Sequence, residues 1–270
     1  MPGPDDEVPE APAATPPSDE ATISGVGSEP VVVLLHSLGL DRSIWDEQVR
    51  LLGPCAPSVR CDLLGHGRAD PLVNPAAEEA ADAVAGLLDT LPWSSFLVTG
   101  LSWGGCVALT LAGRRPDLVA GLCLVDTTAW YGEQSREQWA QRAQWARERG
   151  MSSVAETQLE RWFSAPFIEE HPDVAGSVLD LLRATDLDGY VQTCRAMGEY
   201  DARALLSGIS VPTTVMVGEL DRATPISSAE LLADSITGAS LRILAGAGHL
   251  AALENPAAVA EEIVRLLHRI

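Results

Sequence analysis

The sequence predicts an α/β protein: a mostly parallel, doubly wound sheet with a helical segment inserted late in its order. Three observations lead there. Between Val31 and Val125, short apolar runs rich in β-branched residues alternate with helical patterns, as expected of strands buried on both faces. From about 127 to 207 the alternation gives way to helical patterning with no strand in it. It resumes at 212–217 and 241–244 and closes on a helix.

Taken in order, Val31-Val32-Val33-Leu34-Leu35 reads as a buried strand. A loop with His36, Gly39 and Asp41 follows, then helical spacing through Ile44, Trp45, Val49 and Leu52. Residues 59–62 are a weaker strand ending in Gly65-His66-Gly67, and the alanine-rich stretch 75–91 is an amphipathic helix. Phe96-Leu97-Val98-Thr99 runs directly into Gly100-Leu101-Ser102-Trp103-Gly104, with a helix over 103–114 and a strand at Leu122-Cys123-Leu124-Val125. In the helical segment Trp139, Trp145, Trp162 and Leu179 to Leu182 are the expected anchors. Pro256 suits the first turn of a final helix at 256–267. The expected organisation is a core of 30–126 and 208–270, with a helical cap, 127–207, after the sixth strand.

Composition removes several classes of function. Residues 1–29, rich in Pro, Ala, Asp and Glu, have neither a basic start nor an apolar stretch and are expected to be a disordered acidic tail. No apolar run approaches the roughly 20 residues of a spanning helix, so a soluble protein without a membrane partner is expected, and a cytoplasmic location is expected with it. A net charge of -20 argues against nucleic-acid binding. All 18 basic residues are arginine, which excludes Schiff-base chemistry and Ser-Lys dyads. Cys55, Cys61, Cys106, Cys123 and Cys194 show no C-x-x-C spacing; buried thiols are expected, with a Cys55–Cys61 bridge as the alternative. His66, His171 and His268 share no metal-ligand spacing, and no G-x-G-x-x-G or P-loop is present, so neither metal nor cofactor is expected. The oligomeric state is left open.

The chemistry centres on Ser102. A serine between glycines on a strand-to-helix turn presents its hydroxyl above the sheet edge. Being a weak nucleophile, it needs a base and a carboxylate to orient that base. His249, in Gly246-Ala247-Gly248-His249, and Asp221, in Gly218-Glu219-Leu220-Asp221, each follow a strand, and parallel strands bring such ends to one edge. Asp126 is the rival for the acid. The backbone N–H of Trp103 and that of Leu38, in the loop after the first long strand, are the expected oxyanion donors. His36 is expected to hold that loop rather than act as a second base.

With these residues placed, the chain resembles the α/β-hydrolase superfamily over roughly 31–270, through the elbow, the stretch from Asp62 to Gly67, Asp221 and His249. Within it, the chain is most similar to the 3-oxoadipate enol-lactonases, through His36-Ser37-Leu38-Gly39-Leu40-Asp41 with Trp45-Asp46, Glu160-Arg161-Trp162-Phe163, Gly189-Tyr190 with Cys194, and Gly218 to Pro225. The resemblance implies cofactor-free hydrolysis of a small acidic enol-lactone in bacterial catabolism of aromatic compounds. Three features depart from the pattern. Only Ala21-Thr22-Ile23-Ser24 is available for the opening hairpin. Thr127-Thr128-Ala129-Trp130-Tyr131 stands where these lactonases carry an arginine. The turn Asp62-Leu63-Leu64-Gly65-His66-Gly67 has leucine where many relatives carry arginine. Trp130, Tyr131, Trp139 and Trp162 are the expected substrate-contacting residues, and Arg136, Arg142, Arg161 and Arg195 the candidates to meet a carboxylate. A general carboxylesterase or natural-product methyl esterase is the nearest alternative, and a non-hydrolytic binding protein on the same scaffold the more distant one. A haloalkane dehalogenase is disfavoured, because its elbow carries an aspartate.

Overall fold

The computed structural model describes residues 21–25, 29–53 and 56–270. The acidic tail, apart from a few residues at its end, and Cys55 with its possible bridge to Cys61, lie outside the described residues.

The sheet has seven strands: β1 (Ala21–Ser24), β2 (Val31–Leu35), β3 (Ser58–Cys61), β4 (Phe96–Leu101), β5 (Val119–Val125), β6 (Thr213–Gly218) and β7 (Ser240–Leu244), in the spatial order β1-β3-β2-β4-β5-β6-β7. Only the β1–β3 pairing is antiparallel. β2 and β4 sit at the centre, with every residue buried, which is why their sequences are continuously apolar or small instead of alternating. β7 is an edge strand and leaves Ile243 half exposed.

Helices cover both faces of this sheet. α1 (Asp46–Leu52) lies beside the terminal helix α11 (Pro256–Leu267), which packs on β4, β5 and β6. α2 (Ala77–Asp89) lies beside α3 (Trp103–Arg114), which packs on β2, β4 and β5. α2 buries Ala77, Ala80, Ala81, Val84, Ala85 and Leu88, one stripe at helical spacing. α3 is buried almost all round from Trp103 to Ala112, so its sequence carries no polar face there.

Between β5 and β6 come α4 (Ser135–Glu156), α5 (Leu159–Trp162), α6 (Ala165–Glu170), α7 (Pro172–Ala184) and α8 (Leu187–Glu199). Counted along the described strands, this insertion follows the fifth. α4 packs on both α7 and α8 and is interrupted at Gly150, whose φ of 77° breaks the helix. The expectation of purely helical structure here needs one correction: Trp130 and Asp201 form an isolated antiparallel bridge, with Ala202 N–H donating to Ala129 O at 2.8 Å. That bridge joins the chain entering the insertion to the chain leaving it. After β6 follow α9 (Ile226–Ser235), β7 and the short α10 (Ala251–Glu254). Among the described residues no helix is long and apolar enough to cross a membrane.

Candidate active site

Ser102 occupies the turn between β4 and α3 with φ 54° and ψ -114°, a conformation that a non-glycine residue holds only under constraint. The constraint is visible. Ser102 N–H donates to Val125 O at 2.9 Å, and Ser102 O accepts from Gly105 N–H, Cys106 N–H and Thr127 Oγ1 at 2.9, 3.1 and 2.7 Å. The turn is tight enough that a Cβ at Gly100 would meet the carbonyl of Gly104, and one at Gly104 would meet that of Leu35. Glycine is therefore required on both sides of the serine.

Asp221 follows β6 and His249 follows β7, and the parallel sheet brings both to Ser102. His249 Nε2 lies 3.0 Å from Ser102 Oγ, and His249 Nδ1 lies 2.8 Å from Asp221 Oδ2. All three residues are buried. A carboxylate can only accept, so Nδ1 carries the proton and Nε2 is the acceptor for the Ser102 hydroxyl. Burial works against ionisation of Asp221. The electrostatic attraction of His249, its hydrogen bond, and donation from Thr224 outweigh that and hold the carboxyl below its ordinary range. Thr224 gives Asp221 both its N–H (3.0 Å) and its hydroxyl (2.7 Å), and Ala223 N–H donates at 2.7 Å.

Asp126, the rival acid, is placed differently. It has φ 46°, is fully buried, and accepts from Gly218 N–H at 2.8 Å and Ala251 N–H at 2.9 Å. It ties the ends of β5 and β6 to the start of α10 and makes no hydrogen bond to His249. Burial, reinforced by the nearby charge of Asp221, pushes its carboxyl well above the ordinary range.

The loop after β2 is held by two buried imidazoles. His36 Nε2 accepts from Leu63 N–H at 2.9 Å while Nδ1 meets Ser37 O at 2.8 Å. His66 Nε2 accepts from Gly39 N–H at 2.9 Å and its Nδ1 meets Leu64 O at 3.1 Å. Each ring thus accepts at one nitrogen and donates at the other, the neutral form. Burial lowers their pKa values to about 4 and about 3 respectively, the charge of neighbouring groups being secondary. The His36 expectation of a loop-holding role agrees with this geometry. That of His66 was missed, because its partner Gly39 lies 27 residues away in the chain. Leu38 lines the cavity at Ser102 and Trp103 follows Ser102 in the chain; among the described residues neither backbone N–H has an acceptor.

A cavity of about 30 Å³ adjoins Ser102 and His249, and a second of about 450 Å³ opens into the insertion. Tyr131, Trp139, Arg142, Arg161 and Ala223 line both. Trp162 and Met197 close the smaller one. Trp130 does not reach either cavity: its ring lies under the Arg203 guanidinium, 3.9 Å away, at the bridge to Asp201. Its backbone pairing with Asp201 and its stacking under Arg203 hold it there, partly buried. Of the four candidate arginines, Arg136 pairs with exposed Glu199 and Arg195 bonds Gln192. Arg142 and Arg161 face the cleft without a carboxylate partner among the described residues. Arg142 donates to Tyr190 Oη at 2.6 Å and Gln158 Oε1 at 3.0 Å and stacks on Trp139 at 5.3 Å. Burial and then the charge of Arg142 lower the pKa of Arg161.

The family model described as the alpha/beta hydrolase fold matches residues 30–256. The chain belongs to the alpha/beta hydrolase fold family. Within it, 3-oxoadipate enol-lactonase 2 of Acinetobacter baylyi is 29% identical over 246 residues, covering 91% of each chain. A pimeloyl-[acyl-carrier protein] methyl ester esterase of Neisseria meningitidis is 33% identical, over 85% of this chain and 90% of its own. Among solved structures, the enol-lactonase from Burkholderia xenovorans superposes with a TM-score of 0.87 at 33% identity, over 95% of this chain and all of that one. The family relation thus supports a hydrolase, with enol-lactonases and esterases among its relatives.

Proposed function

We propose that the protein is a cofactor-free serine hydrolase of small lactones or esters, with 3-oxoadipate enol-lactone as the favoured substrate and segment 127–207 acting as a cap over the site. The observation that carries the reading is the unbroken line from Ser102 Oγ through His249 to Asp221, at 3.0 and 2.8 Å. His249 Nε2 takes the hydroxyl proton as Ser102 Oγ attacks the lactone carbonyl. Leu38 N–H and Trp103 N–H receive the oxyanion. The ring C–O bond breaks, His249-H⁺ returns its proton to the departing enol oxygen, and the opened chain stays attached as the acyl group. His249 then deprotonates a water that attacks the ester, releasing the acid and restoring Ser102. Throughout, Asp221 stays ionised and keeps the imidazolium oriented.

The preference for an acidic lactone draws on Arg142 and Arg161. Two guanidinium groups beside a cleft, neither in a salt bridge with a carboxylate among the described residues, suit a substrate that brings its own negative charge. The cavity at Ser102 has room for little more than the reacting carbonyl, so the body of the substrate belongs in the larger cavity where the arginines are. An esterase acting on less polar substrates is the second reading, favoured by the aromatic wall of Tyr131, Trp139 and Trp162. The deciding experiment is turnover of freshly generated 3-oxoadipate enol-lactone beside a neutral aryl ester, with Ser102→Ala as control. Fast serine-dependent lactone loss with a weak ester rate is expected. Ester cleavage without lactone turnover moves the assignment to the esterase, and activity unaffected by Ser102→Ala removes the serine mechanism.

A further inference from the structure

We propose that Glu254 is a positioning residue that fastens the His249 loop to the Trp162–Ser164 stretch of the insertion, so that the general base and one wall of the cleft are set as a single unit. The inference rests on the reading of His249 as that base. Glu254 ends α10 and its carboxylate collects three donors from two separate parts of the chain. Oε1 accepts from Gly248 N–H at 2.9 Å and Ser164 N–H at 3.0 Å, and Oε2 accepts from Ser164 Oγ at 2.5 Å. On the other side of His249, Leu250 N–H donates directly to Trp162 O at 3.0 Å. Both residues flanking the histidine are therefore bonded to the insertion, one through Glu254 and one through the backbone.

The packing leaves this junction little slack. A Cβ at Gly248 would lie 2.7 Å from Glu254 Oε1, 2.8 Å from Trp162 O and 3.0 Å from Ser164 N, so the loop lies directly on the Trp162–Ser164 stretch. From the sheet side, Asp126 holds Ala251 N–H. The histidine loop is gripped by one carboxylate from the core and one that reaches the insertion. Trp162 is buried and lines the cavity next to Ser102, so a shift of that wall is passed to the backbone on both sides of His249. A carboxylate suits the task because all three partners donate, and among the described residues Glu254 has no cation to answer to.

Glu254 touches none of the reacting atoms, so its effect is on the placing of His249. The test uses Glu254→Ala, Glu254→Gln, Ser164→Ala and the Glu254→Ala/Ser164→Ala pair in the full-length protein. A fluorophosphonate titration counts competent sites, and kcat and KM for a neutral aryl ester are expressed per titrated site. Glu254→Ala is expected to lower kcat about 10- to 100-fold with KM changed less than about threefold, the size of effect that misplacing a catalytic group produces. Glu254→Gln keeps an oxygen for both N–H donors, and the Ser164 hydroxyl can rotate to accept from the new amide, so it is expected within about threefold of the parent. Ser164→Ala is expected to lower kcat about 3- to 10-fold, with the double variant no worse than Glu254→Ala, since both act through one connection. If Glu254→Ala has a parental kcat per site, or its loss and that of Ser164→Ala simply multiply, the proposal fails. Should Glu254→Ala not fold, a parental kcat per site in Ser164→Ala is the overturning result. Activity unaffected by Ser102→Ala would instead overturn the serine mechanism, with His249 as its base, on which this inference stands.

Discussion

Asp126 and Asp221 leave neighbouring strands, yet their surroundings push their carboxyls in opposite directions. Asp221 has the attraction and hydrogen bond of His249 and the Thr224 donors to offset its burial, whereas Asp126 has two backbone N–H groups and the repulsion of Asp221 itself. Assigning the acid role to Asp221 predicts that Asp221→Asn lowers kcat about 10³- to 10⁴-fold, as loss of the correct imidazole tautomer does. Asp126→Asn is expected to stay within about tenfold, because it leaves the contacts of His249 in place. Pre-steady-state acylation of both variants checks this, and equal losses would reverse the assignment. The two structural imidazoles give a second prediction. His36 and His66 have folded pKa values near 4 and 3, below the roughly 6.5 of an exposed histidine, so the unfolded chain binds more protons than the native one in the interval between. Their contribution to stability is complete above about pH 6.5 and is lost as pH falls toward the folded values. For His36 alone the total is on the order of 3 kcal/mol. Urea midpoints at pH 7 and pH 5 are expected to drop markedly for the parent and less for a His66→Gln variant, which has nothing to protonate at that site. An identical drop in both would remove His66 from the account.

At the level of elements, the junction between the β3–α2 loop and α8 is made by backbone against backbone. Gly65, at φ 79°, lies against Gly189, and a Cβ on Gly189 would run into the Gly65 carbonyl. Gly189→Ala is therefore expected to destabilise by about 1–3 kcal/mol. Gly176, in the middle of α7 with nothing within reach of an added Cβ, is expected to gain up to about 1 kcal/mol on the same change. Thermal unfolding of the two variants should move Tm in opposite directions; a fall in both would show that the Gly65 contact is not the cause. These two glycines look alike in sequence, and they illustrate where reading it stops. Strands β2, β4, β5 and β6, the elbow, α2, α3 and α11 were legible because burial on both faces, or on one stripe, imposes a pattern within each element's own residues. The residues now seen beside Ser102, namely Asp221, His249, Trp103 and Leu38, were legible because each follows a strand or the elbow itself. The Trp130–Asp201 bridge was not, since it joins residues some seventy apart by backbone pairing that no side-chain pattern reports. Nor were Thr224 on Asp221, Asp126 as a brace, or the choice of Arg142 and Arg161 over Arg136 and Arg195. For the arginines the sequence supplies the residue type, while the partner is fixed by how α4, α5 and α8 dock; for Asp126 it is fixed by where β6 and α10 lie, and for Thr224 by the turn that follows β6.

Across the whole molecule, a chain of net charge -20 has a cleft lined by two arginines that make no salt bridge with a carboxylate among the described residues. An anionic lactone approaching from solution meets repulsion summed over many distant groups, and meets attraction only once it is inside. Salt acts unequally on these two contributions. The screening length is about 30 Å at 0.01 M and about 8 Å at 0.15 M, so the distant repulsion is lost first, while a contact between guanidinium and carboxylate in a partly buried cleft is screened far less. The proposed substrate class therefore predicts that kcat/KM for the carboxylated lactone rises about two- to fivefold between those ionic strengths, with that for a neutral aryl ester nearly flat. Arg161→Ala, removing the more accessible guanidinium, is expected to lower kcat/KM for the lactone about 10- to 100-fold, the range of a lost charge-assisted contact, and for the neutral ester less than about threefold. The combination is diagnostic because the two effects have different origins: the salt response belongs to the acidic surface and should persist in Arg161→Ala, whereas the substrate discrimination belongs to the cleft and should collapse. A lactone rate that falls with salt in the parent would mean that the local arginines dominate encounter as well as binding. Equal losses for lactone and ester in Arg161→Ala would mean that this side chain shapes the cleft and does not recognise a carboxylate.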